Sequence, residues 1–293
     1  MTHPSSVAPL FAIISLGAVH FVEKLAIQQG APPGPFALGQ TAVSLLVVAP
    51  IWLATRRHRN MEVLRRLPFG SLAIIGIVAS GIVVLLSIMA LSYTSATHKG
   101  VIQASYPLGT MFFAWVLLRE RITPVGYAAA AVVVSGLVLM TSHGLGTAPN
   151  RGDWILIATV PLMGFSDAYA KKVLSHVSPL TVSFGRYFFG TAFLGLLLSV
   201  LDLGVLGDLL PVWHLLLAAG LMTALAMELF YWSIKSIGPS LAAGMLAAAP
   251  VVTAALEWWW LDESFLKSQL LGIALVILGV AALSRQRATD DTG

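Results

Sequence analysis

Apolar residues fill this chain in long blocks that follow one another from end to end. Stretches such as residues 74–90 and 270–283 are apolar on every face, whereas the strands of a membrane barrel alternate apolar and polar residues. A helix needs about 20 mostly apolar residues to cross a bilayer, and helices and closed barrels are the structures that can span one. The pattern therefore predicts an all-α, polytopic membrane protein.

Ten spans of this kind can be placed along the chain, and short connections that contain glycine or proline separate most of them. The predicted spans are residues 7–28, 35–55, 68–92, 97–117, 122–142, 152–171, 178–200, 209–234, 238–260 and 265–284. Residues 1–6 lack the basic region and small-residue cleavage site of a signal peptide, so we expect the first span to be retained.

The basic residues are divided unevenly between the connections, which predicts an orientation. If the N-terminus lies inside, the inner side holds Arg56, Arg57, Arg59, Arg65, Arg66, Arg119, Arg121, Lys171, Lys172, Lys235, Arg285 and Arg287. The outer connections hold only Lys99, Arg151 and Lys267, and the positive-inside rule then places both termini in the cytoplasm, in a cytoplasmic (inner) membrane. The net charge of +4 is therefore interpreted as a signal of topology and not of nucleic-acid binding.

The second half of the chain repeats the first. Six residues recur at an offset of 143, and Pro107, Thr110, Trp115, Leu118, Glu120 and Gly136 match Pro250, Thr253, Trp258, Leu261, Glu263 and Gly279. Further pairs are Gly17 with Gly164, Lys24 with Lys171, Pro33 with Pro179 and Gln40 with Arg186. Because each half has an odd number of spans, the halves must lie in opposite orientations, as in transporters whose substrate site lies between inverted repeats. This predicts a first five-helix unit (1–143), a second, inverted unit (151–285) and a cytoplasmic tail (286–293).

These repeated residues resemble a known family. Each half has Gly-x6-Lys in its first helix and closes on Pro-x12-Glu with a downstream glycine, and the second half adds Pro-x6-Arg. These motifs, which occur in both halves, resemble those of the EamA family of the drug/metabolite transporter superfamily, and the resemblance covers essentially the whole chain. The resemblance implies ten helices in two inverted repeats and export of small metabolites such as amino acids, with exporters of aromatic amino acids as the nearest type.

The chain departs from that family's pattern at three places. Leu16 and Met163 replace the tryptophan that usually precedes the first-helix glycine. Gln40 stands where the first repeat normally has arginine. We therefore expect the shape of the cavity and its charge balance to differ from those of typical relatives.

Polar residues inside the first helix of each half are candidates for the wall of a transport path. His20, Glu23 and Lys24 share one face, because residues three and four apart are neighbours on a helix. Asp167, which corresponds to His20, and Tyr169 occupy the matching helix of the second half. Charged side chains in a bilayer normally face a cavity or a partner. The alternative is a structural charge pair at the end of each helix, Glu23 with Lys24 in the first half and Asp167 with Lys171, four residues further on, in the second.

The fourth and eighth helices carry two further candidate stripes. Gln103 and Tyr106 follow Lys99 on one face of the fourth helix, and Pro107 is predicted to bend that helix and free backbone groups for a substrate. The alternative is a kink that serves packing only.

Glu228, Tyr231 and Trp232 form the stripe on the eighth helix. Glu228 could accept a substrate ammonium or carry a proton. Equally, it could pair with Arg186 and tie the two halves together.

The motifs of other function classes are absent from the sequence. It contains no cysteine, no Gly-x-Ser-x-Gly, no His-Glu-x-x-His and no Walker A motif, and its histidines show no metal spacing, so we predict no catalytic residue, metal or cofactor. We predict a secondary transporter that exports a small organic metabolite, most simply an aromatic or other neutral amino acid, by alternating access. Its partners would be the small-molecule substrate and the lipid bilayer. An exporter of another metabolite class or of aromatic cationic drugs is the alternative, since carboxylates and π faces suffice for a cation. An intramembrane enzyme that uses a lone Asp or His is the further alternative, though no motif favours it.

Overall fold

The computed structural model describes residues 8–56, 68–93, 102–103, 105–119, 123–141, 151–201, 206–246, 248–261 and 267–290. This part of the chain forms ten helices, which follow the ten predicted spans. They are α1 (Ala8–Gln28), α2 (Pro33–Arg56), α3 (Phe69–Ala90), α4 (Tyr106–Leu118), α5 (Pro124–Thr141), α6 (Arg151–Leu174), α7 (Pro179–Leu201), α8 (Trp213–Ile237), α9 (Pro239–Leu246 and Ala249–Leu261) and α10 (Lys267–Asp290). A 3₁₀ turn, Leu206–Val212, leads into α8. The prediction of a ten-helix, all-α fold is confirmed.

Six stretches of the described chain are long and apolar enough to cross a membrane: Pro9–Gln28, Pro33–Thr55, Phe69–Ala90, Pro179–Leu201, Gly207–Ile237 and Pro239–Trp260. The apolar parts of α4, α5 and α10 are shorter. Helix α6 is more polar, and its aspartates Asp153 and Asp167 are both buried inside the protein. The interior of the bundle therefore surrounds these carboxylates, as is usual for charged groups within a membrane protein.

Proline and glycine set the ends of several helices. The first residue of four helices is a proline, which needs no backbone N–H there: Pro33, Pro124, Pro179 and Pro239. The chain turns after α1 and after α8 at Gly30 and Gly238, whose φ angles are both +87°. Glycine adopts this conformation without steric cost, and the Gly238 N–H closes α8 by donating to the Ile234 carbonyl at 3.0 Å.

The packing of the helices is symmetric between the two halves. Helix α1 packs on α8 and α9, and its counterpart α6 packs on α3 and α4. Helix α2 packs on α8 and α7 packs on α3, while the pairs α2–α7 and α5–α10 each join equivalent helices. Exchanging the first half for the second therefore reproduces the same set of contacts. This is the two-repeat, inverted architecture that the sequence predicted.

Glycines lie where helices of two equivalent pairs, α6 with α4 and α1 with α9, approach each other closely. A Cβ atom on Gly164 of α6 would collide with the backbone of Gly109 and Thr110 on α4. The equivalent Gly17 of α1 faces the Ala249 carbonyl and Val252 of α9 in the same way. Backbone-to-backbone contact of this kind needs small residues, as is common where membrane helices pack.

Candidate functional site

A cavity of about 140 Å³ lies between the two halves. Helices α1 to α4 contribute to its wall from the first half, and α6 to α9 contribute from the second. Its polar wall residues are His20, Glu23, Gln40, Ser87, Gln103, Tyr106, Asp167, Arg186 and Thr223. The remaining wall is largely apolar and includes Leu16, Met163, Met227 and Phe230. The cavity thus combines an apolar surface with charged groups of both signs.

Two helices break where they reach this cavity, at matching positions. Residues 102–103 are helical and α4 starts again at Tyr106, with Pro107 in its first turn. Helix α9 breaks between Leu246 and Ala249, and Pro250 follows. The same tight backbone bonds bridge both breaks, from Ser105 to Ile102 and Leu108 to Ser105, and from Ala248 to Met245 and Val251 to Ala248. Because proline has no N–H and crowds the preceding turn, it interrupts both helices at the cavity wall.

A pair of equivalent hydrogen bonds joins the two halves beside the cavity. Gln40 Nε2 on α2 donates to Thr223 Oγ1 on α8 at 2.8 Å. Arg186 Nε on α7 donates to Ser80 Oγ on α3, also at 2.8 Å. Gln40 corresponds to Arg186 in the repeat, so equivalent residues of the two halves each donate to a hydroxyl group of the opposite half. The departure from the family pattern at Gln40 therefore lies in the cavity wall and makes its first-half side less positive.

Arg186 is the cationic group of the wall and is held in place by several contacts. Besides Ser80, it donates from Nη1 to Tyr231 Oη at 3.1 Å, and its guanidinium lies 5.8 Å from the centre of the Tyr231 ring. It also interacts electrostatically with Asp167. Only 4% of Arg186 is exposed, so the charge is fixed inside the protein. Such a guanidinium is suited to binding a carboxylate or another anion.

Asp167 and Glu23 supply negative charge to the same wall. Thr110 Oγ1 on α4 donates to Asp167 Oδ2 at 3.3 Å, and Asp167 Oδ1 has no hydrogen-bond partner in the part of the chain that the structure describes. Glu23 Oε1 accepts a hydrogen bond from Gln40 Nε2 at 2.8 Å. The two carboxylates therefore come from α1 and α6, the equivalent first helices of the two halves.

Gln103 and Tyr106 line the cavity as part of a hydrogen-bonded chain. Gln103 Nε2 donates to Tyr106 Oη at 3.2 Å and to Ser87 Oγ on α3 at 3.4 Å. The Tyr106 hydroxyl also bonds to Thr159 Oγ1 on α6 at 2.9 Å. This chain connects the break before α4 to helices of both halves, so movement of either half would strain it.

Five of the predicted site residues, His20, Glu23, Gln103, Tyr106 and Asp167, lie in the wall, and the structure places the other five elsewhere. Tyr169 bonds to Ser71 on α3 at 3.0 Å and Glu228 accepts from Ser183 on α7 at 2.7 Å. Tyr231 is fully buried behind Arg186, Trp232 is 49% exposed on the outside of α8, and Lys24 is half-buried on α1. Tyr231 accepts a hydrogen bond from the wall residue Arg186.

The stripe of α8 that faces the cavity differs from the predicted one. Thr223, Met227 and Phe230 line the cavity, at spacings of four and three residues. The predicted stripe of Glu228, Tyr231 and Trp232 is displaced by one residue, which is about 100° around a helix. Hydrogen bonding does not join Glu228 to Arg186: Glu228 accepts from Ser183, and Arg186 donates to Ser80 and Tyr231.

Lys171, which its sequence position suggested as a partner of Asp167, also bonds to another helix. Its Nζ donates to the carbonyl oxygens of Ile234 and Lys235 at 3.0 and 2.9 Å. These carbonyls belong to the last turn of α8, and the Ile234 carbonyl also accepts from the Gly238 N–H. The family-matched lysine of the second half therefore caps α8 with a positive charge. Lys99, Glu120 and Glu263, which also stand out in the sequence, lie outside the described residues.

Metal ligands do not cluster in the described part of the chain. No group of three or more His, Asp or Glu side chains there could hold a metal ion. The polar wall of the cavity is instead made of single side chains that come from different helices.

Comparison with protein families and known proteins gives a consistent match. The model of the EamA-like transporter family matches residues 6–142 and again residues 150–285. A solved crystal structure aligns with a TM-score of 0.75 over 96% of this chain and 98% of that one, at 20% identity. This likeness shows the fold.

Three curated proteins are similar at low identity. The chain is 26% identical to an uncharacterized transporter, YetK, of Bacillus subtilis over 197 residues. This aligned stretch covers 64% of this chain and 59% of that protein. It is 24% identical over 195 residues to a probable terminal-alkyne amino-acid exporter of Streptantibioticus cattleyicolor, 66% of each chain. It is 25% identical over 152 residues to a WAT1-related protein of Arabidopsis thaliana, 52% of this chain and 45% of that one. The chain thus spans about half to two thirds of the length of the curated relatives that it matches.

Proposed function

Because this chain belongs to the EamA-like transporter family, we propose that it is a secondary transporter that exports a small organic metabolite, most simply an aromatic or other neutral amino acid, from the cytoplasm. Substrate would bind in the cavity between the two halves, and the halves would rock to expose it to each side in turn. The observation that carries the proposal is that both halves wall one cavity, which holds a buried guanidinium and two carboxylates.

The chemistry of the wall supports a zwitterionic substrate with an apolar side chain. Arg186 offers donors for a carboxylate, and Asp167 and Glu23 offer acceptors for an ammonium group. Leu16, Met163 and the α8 residues form the apolar remainder of the wall, which suits an aromatic or other neutral side chain. A purely cationic drug would leave Arg186 facing a like charge, so the buried guanidinium favours the amino acid.

The names of the similar proteins support the same class. One of them is a probable terminal-alkyne amino-acid exporter and another is an uncharacterized transporter. Export of amino acids by this chain, a carrier role without catalysis, and the absence of nucleic-acid partners are parts of the proposal.

The orientation and the division of the chain are proposed together with this function. Basic residues on the inner side support a cytoplasmic (inner) membrane location with both termini in the cytoplasm. The first unit would comprise residues 1–143, the inverted second unit residues 151–285 and the cytoplasmic tail residues 286–293.

Uptake into proteoliposomes tests the proposed function. We expect saturable uptake of labelled neutral and aromatic amino acids by vesicles that contain the protein, and dependence on an imposed pH gradient would show proton coupling. Folded protein that transports none of these amino acids above empty vesicles would contradict the proposed substrate class.

Replacing Gln103 by alanine is expected to reduce that uptake about tenfold or more. The change removes the amide that joins Tyr106 to Ser87 at the break before α4. Net hydrogen bonds contribute about 1 kcal/mol each, and a shift of 1.4 kcal/mol is tenfold in rate. Initial uptake rates, normalised to folded protein, measure the effect. Ser199→Ala, an exposed change on α7, is the matched control, and equal rates for Gln103→Ala and this control would remove Gln103 from the transport path.

A further inference from the structure

Two buried acceptor atoms of cavity-wall residues have no hydrogen-bond partner among the residues that the structure describes. They are Asp167 Oδ1 and Gln40 Oε1. Both side chains are 2% exposed. Buried polar atoms are nearly always satisfied in native proteins, so two such acceptors that line one cavity require an explanation.

Protein contacts hold the Asp167 carboxylate so that Oδ2 accepts a hydrogen bond and Oδ1 accepts none from the described residues. Thr110 Oγ1 donates to Oδ2 from α4, which approaches α6 closely at Gly164. Arg186, which interacts electrostatically with Asp167, donates from Nε to Ser80 and from Nη1 to Tyr231. The carboxylate therefore keeps Oδ1 as an acceptor for a group that enters the cavity.

The amide of Gln40 is held in an orientation that leaves its oxygen open. Its Nε2 donates to Glu23 Oε1 and to Thr223 Oγ1, both at 2.8 Å. The reverse orientation would place the amide oxygen against the Glu23 carboxylate, two acceptors facing each other. The chemistry of Glu23 thus determines that Gln40 presents an acceptor and not a donor.

We propose that these two atoms select a primary ammonium substrate: its N–H groups donate to Asp167 Oδ1, and Gln40 Oε1 accepts a second donor of the same molecule. The inference rests on the proposed transport function and specifies its substrate class. A primary ammonium carries three donors, whereas a trimethylated nitrogen has the same charge and none. Selection here depends on hydrogen bonding, because binding of the trimethylated cation would desolvate both acceptors without satisfying either.

Competition with a series of N-methylated ligands tests this on the wild-type protein. Uptake of a labelled neutral amino acid is measured with L-phenylalanine or its N,N,N-trimethyl derivative as the competitor. We expect the trimethylated compound to compete at least about 30-fold more weakly, since a site built to hydrogen-bond an N–H rejects an analogue that lacks it. Equal competition by the two compounds would overturn the proposal.

A binding measurement separates this inference from the proposed function. L-Phenylalanine and its N,N,N-trimethyl derivative both keep the carboxylate that Arg186 would bind, and binding of each is tested by thermal shift of the purified protein. If no amino acid is transported but L-phenylalanine binds and its trimethyl derivative does not, the amine site stands and the transport function fails. If neither compound binds, or both bind equally, the amine site is wrong whatever the transport result.

Asp167→Asn identifies the residue responsible. Thr110 can still donate to the amide oxygen, so the new NH₂ takes the place of Oδ1 and presents a donor to the substrate ammonium. We expect at least about a 30-fold loss of affinity for L-phenylalanine. Asp153→Asn is the matched control, because Asp153 is a buried aspartate of the same helix outside the cavity wall. Unchanged affinity for L-phenylalanine in Asp167→Asn would overturn the proposal, and the ligand series on the wild-type protein decides the question if this variant does not fold.

Discussion

Arg186→Gln is expected to reduce amino acid transport at least about a hundredfold while the protein still folds. The change removes the cationic group of the cavity wall, which we propose binds the substrate carboxylate. Truncation of one partner of a buried, hydrogen-bonded charge pair between binding partners costs about 2–5 kcal/mol, and about 2.7 kcal/mol is a hundredfold. Initial uptake rates in proteoliposomes, normalised to folded protein, measure the effect.

The repeat gives a reason why this variant should fold. The glutamine would stand where Gln40 stands in the first half, and Gln40 donates to Thr223 as Arg186 donates to Ser80. The remaining loss of stability comes from Asp167, whose electrostatic partner is gone. We therefore expect Arg186→Gln combined with Asp167→Asn to recover thermal stability without recovering transport.

Lys172→Gln is the control for Arg186→Gln, because it makes a similar change at an exposed position of α6. It should leave both stability and transport unchanged. Transport by Arg186→Gln within about threefold of the wild type would mean that the guanidinium serves structure alone, since a threefold change in rate is only about 0.7 kcal/mol.

Gly164→Ala is expected to destabilise the folded protein by about 1–3 kcal/mol or more, because it overpacks a contact that cannot relax easily. The added methyl group would meet the backbone of Gly109 and Thr110 on α4, and backbone atoms cannot rotate aside. The thermal unfolding midpoint in detergent, together with the yield of folded protein, measures the effect.

Gly195→Ala is the matched control for Gly164→Ala. Gly195 is also a helical glycine, and nothing lies within 4 Å of the position that its Cβ would take. Alanine favours a helix over glycine by about 1 kcal/mol, so this variant should be as stable as the wild type or more stable. Equal unfolding midpoints for the two variants would contradict the close approach of α6 to α4.

Much of the fold could be predicted from the sequence, because length and hydropathy determine where membrane helices lie. Proline fixed several boundaries in advance, since Pro33, Pro124 and Pro179 begin helices close to the predicted starts. The break at Pro107 was predicted from its missing N–H, and the matching break before Pro250 follows from the repeat. The offset of 143 residues was sufficient to predict the two-repeat architecture.

The cavity was harder to predict, because a helix that is apolar all round does not show which face points inward. In α8 the polar stripe through Glu228 and Trp232 was chosen, whereas Thr223, Met227 and Phe230 line the cavity. In the sequence, Gln40 stands out only as a departure from the family pattern, and Arg186 is a candidate partner for Glu228. Their place at equivalent positions of the two halves was the signal in the sequence that could have assigned both to the wall.

Lys171 shows a second limit of sequence reasoning. Its spacing from Asp167 suggested a pair within one helix, but its Nζ bonds to the last carbonyls of α8. Contacts between distant helices depend on the tertiary fold, so local spacing does not reveal them.

Counterflow most directly tests the central claim that the two halves form one alternating-access site for amino acids. Proteoliposomes are loaded with a high concentration of unlabelled neutral amino acid, diluted, and given a trace of the same labelled compound outside. A carrier with one alternating site predicts transient accumulation of label above equilibrium, driven by the outward flow of unlabelled substrate. Label that only equilibrates, without such an overshoot, in vesicles shown to transport the compound would contradict alternating access and indicate an open pore.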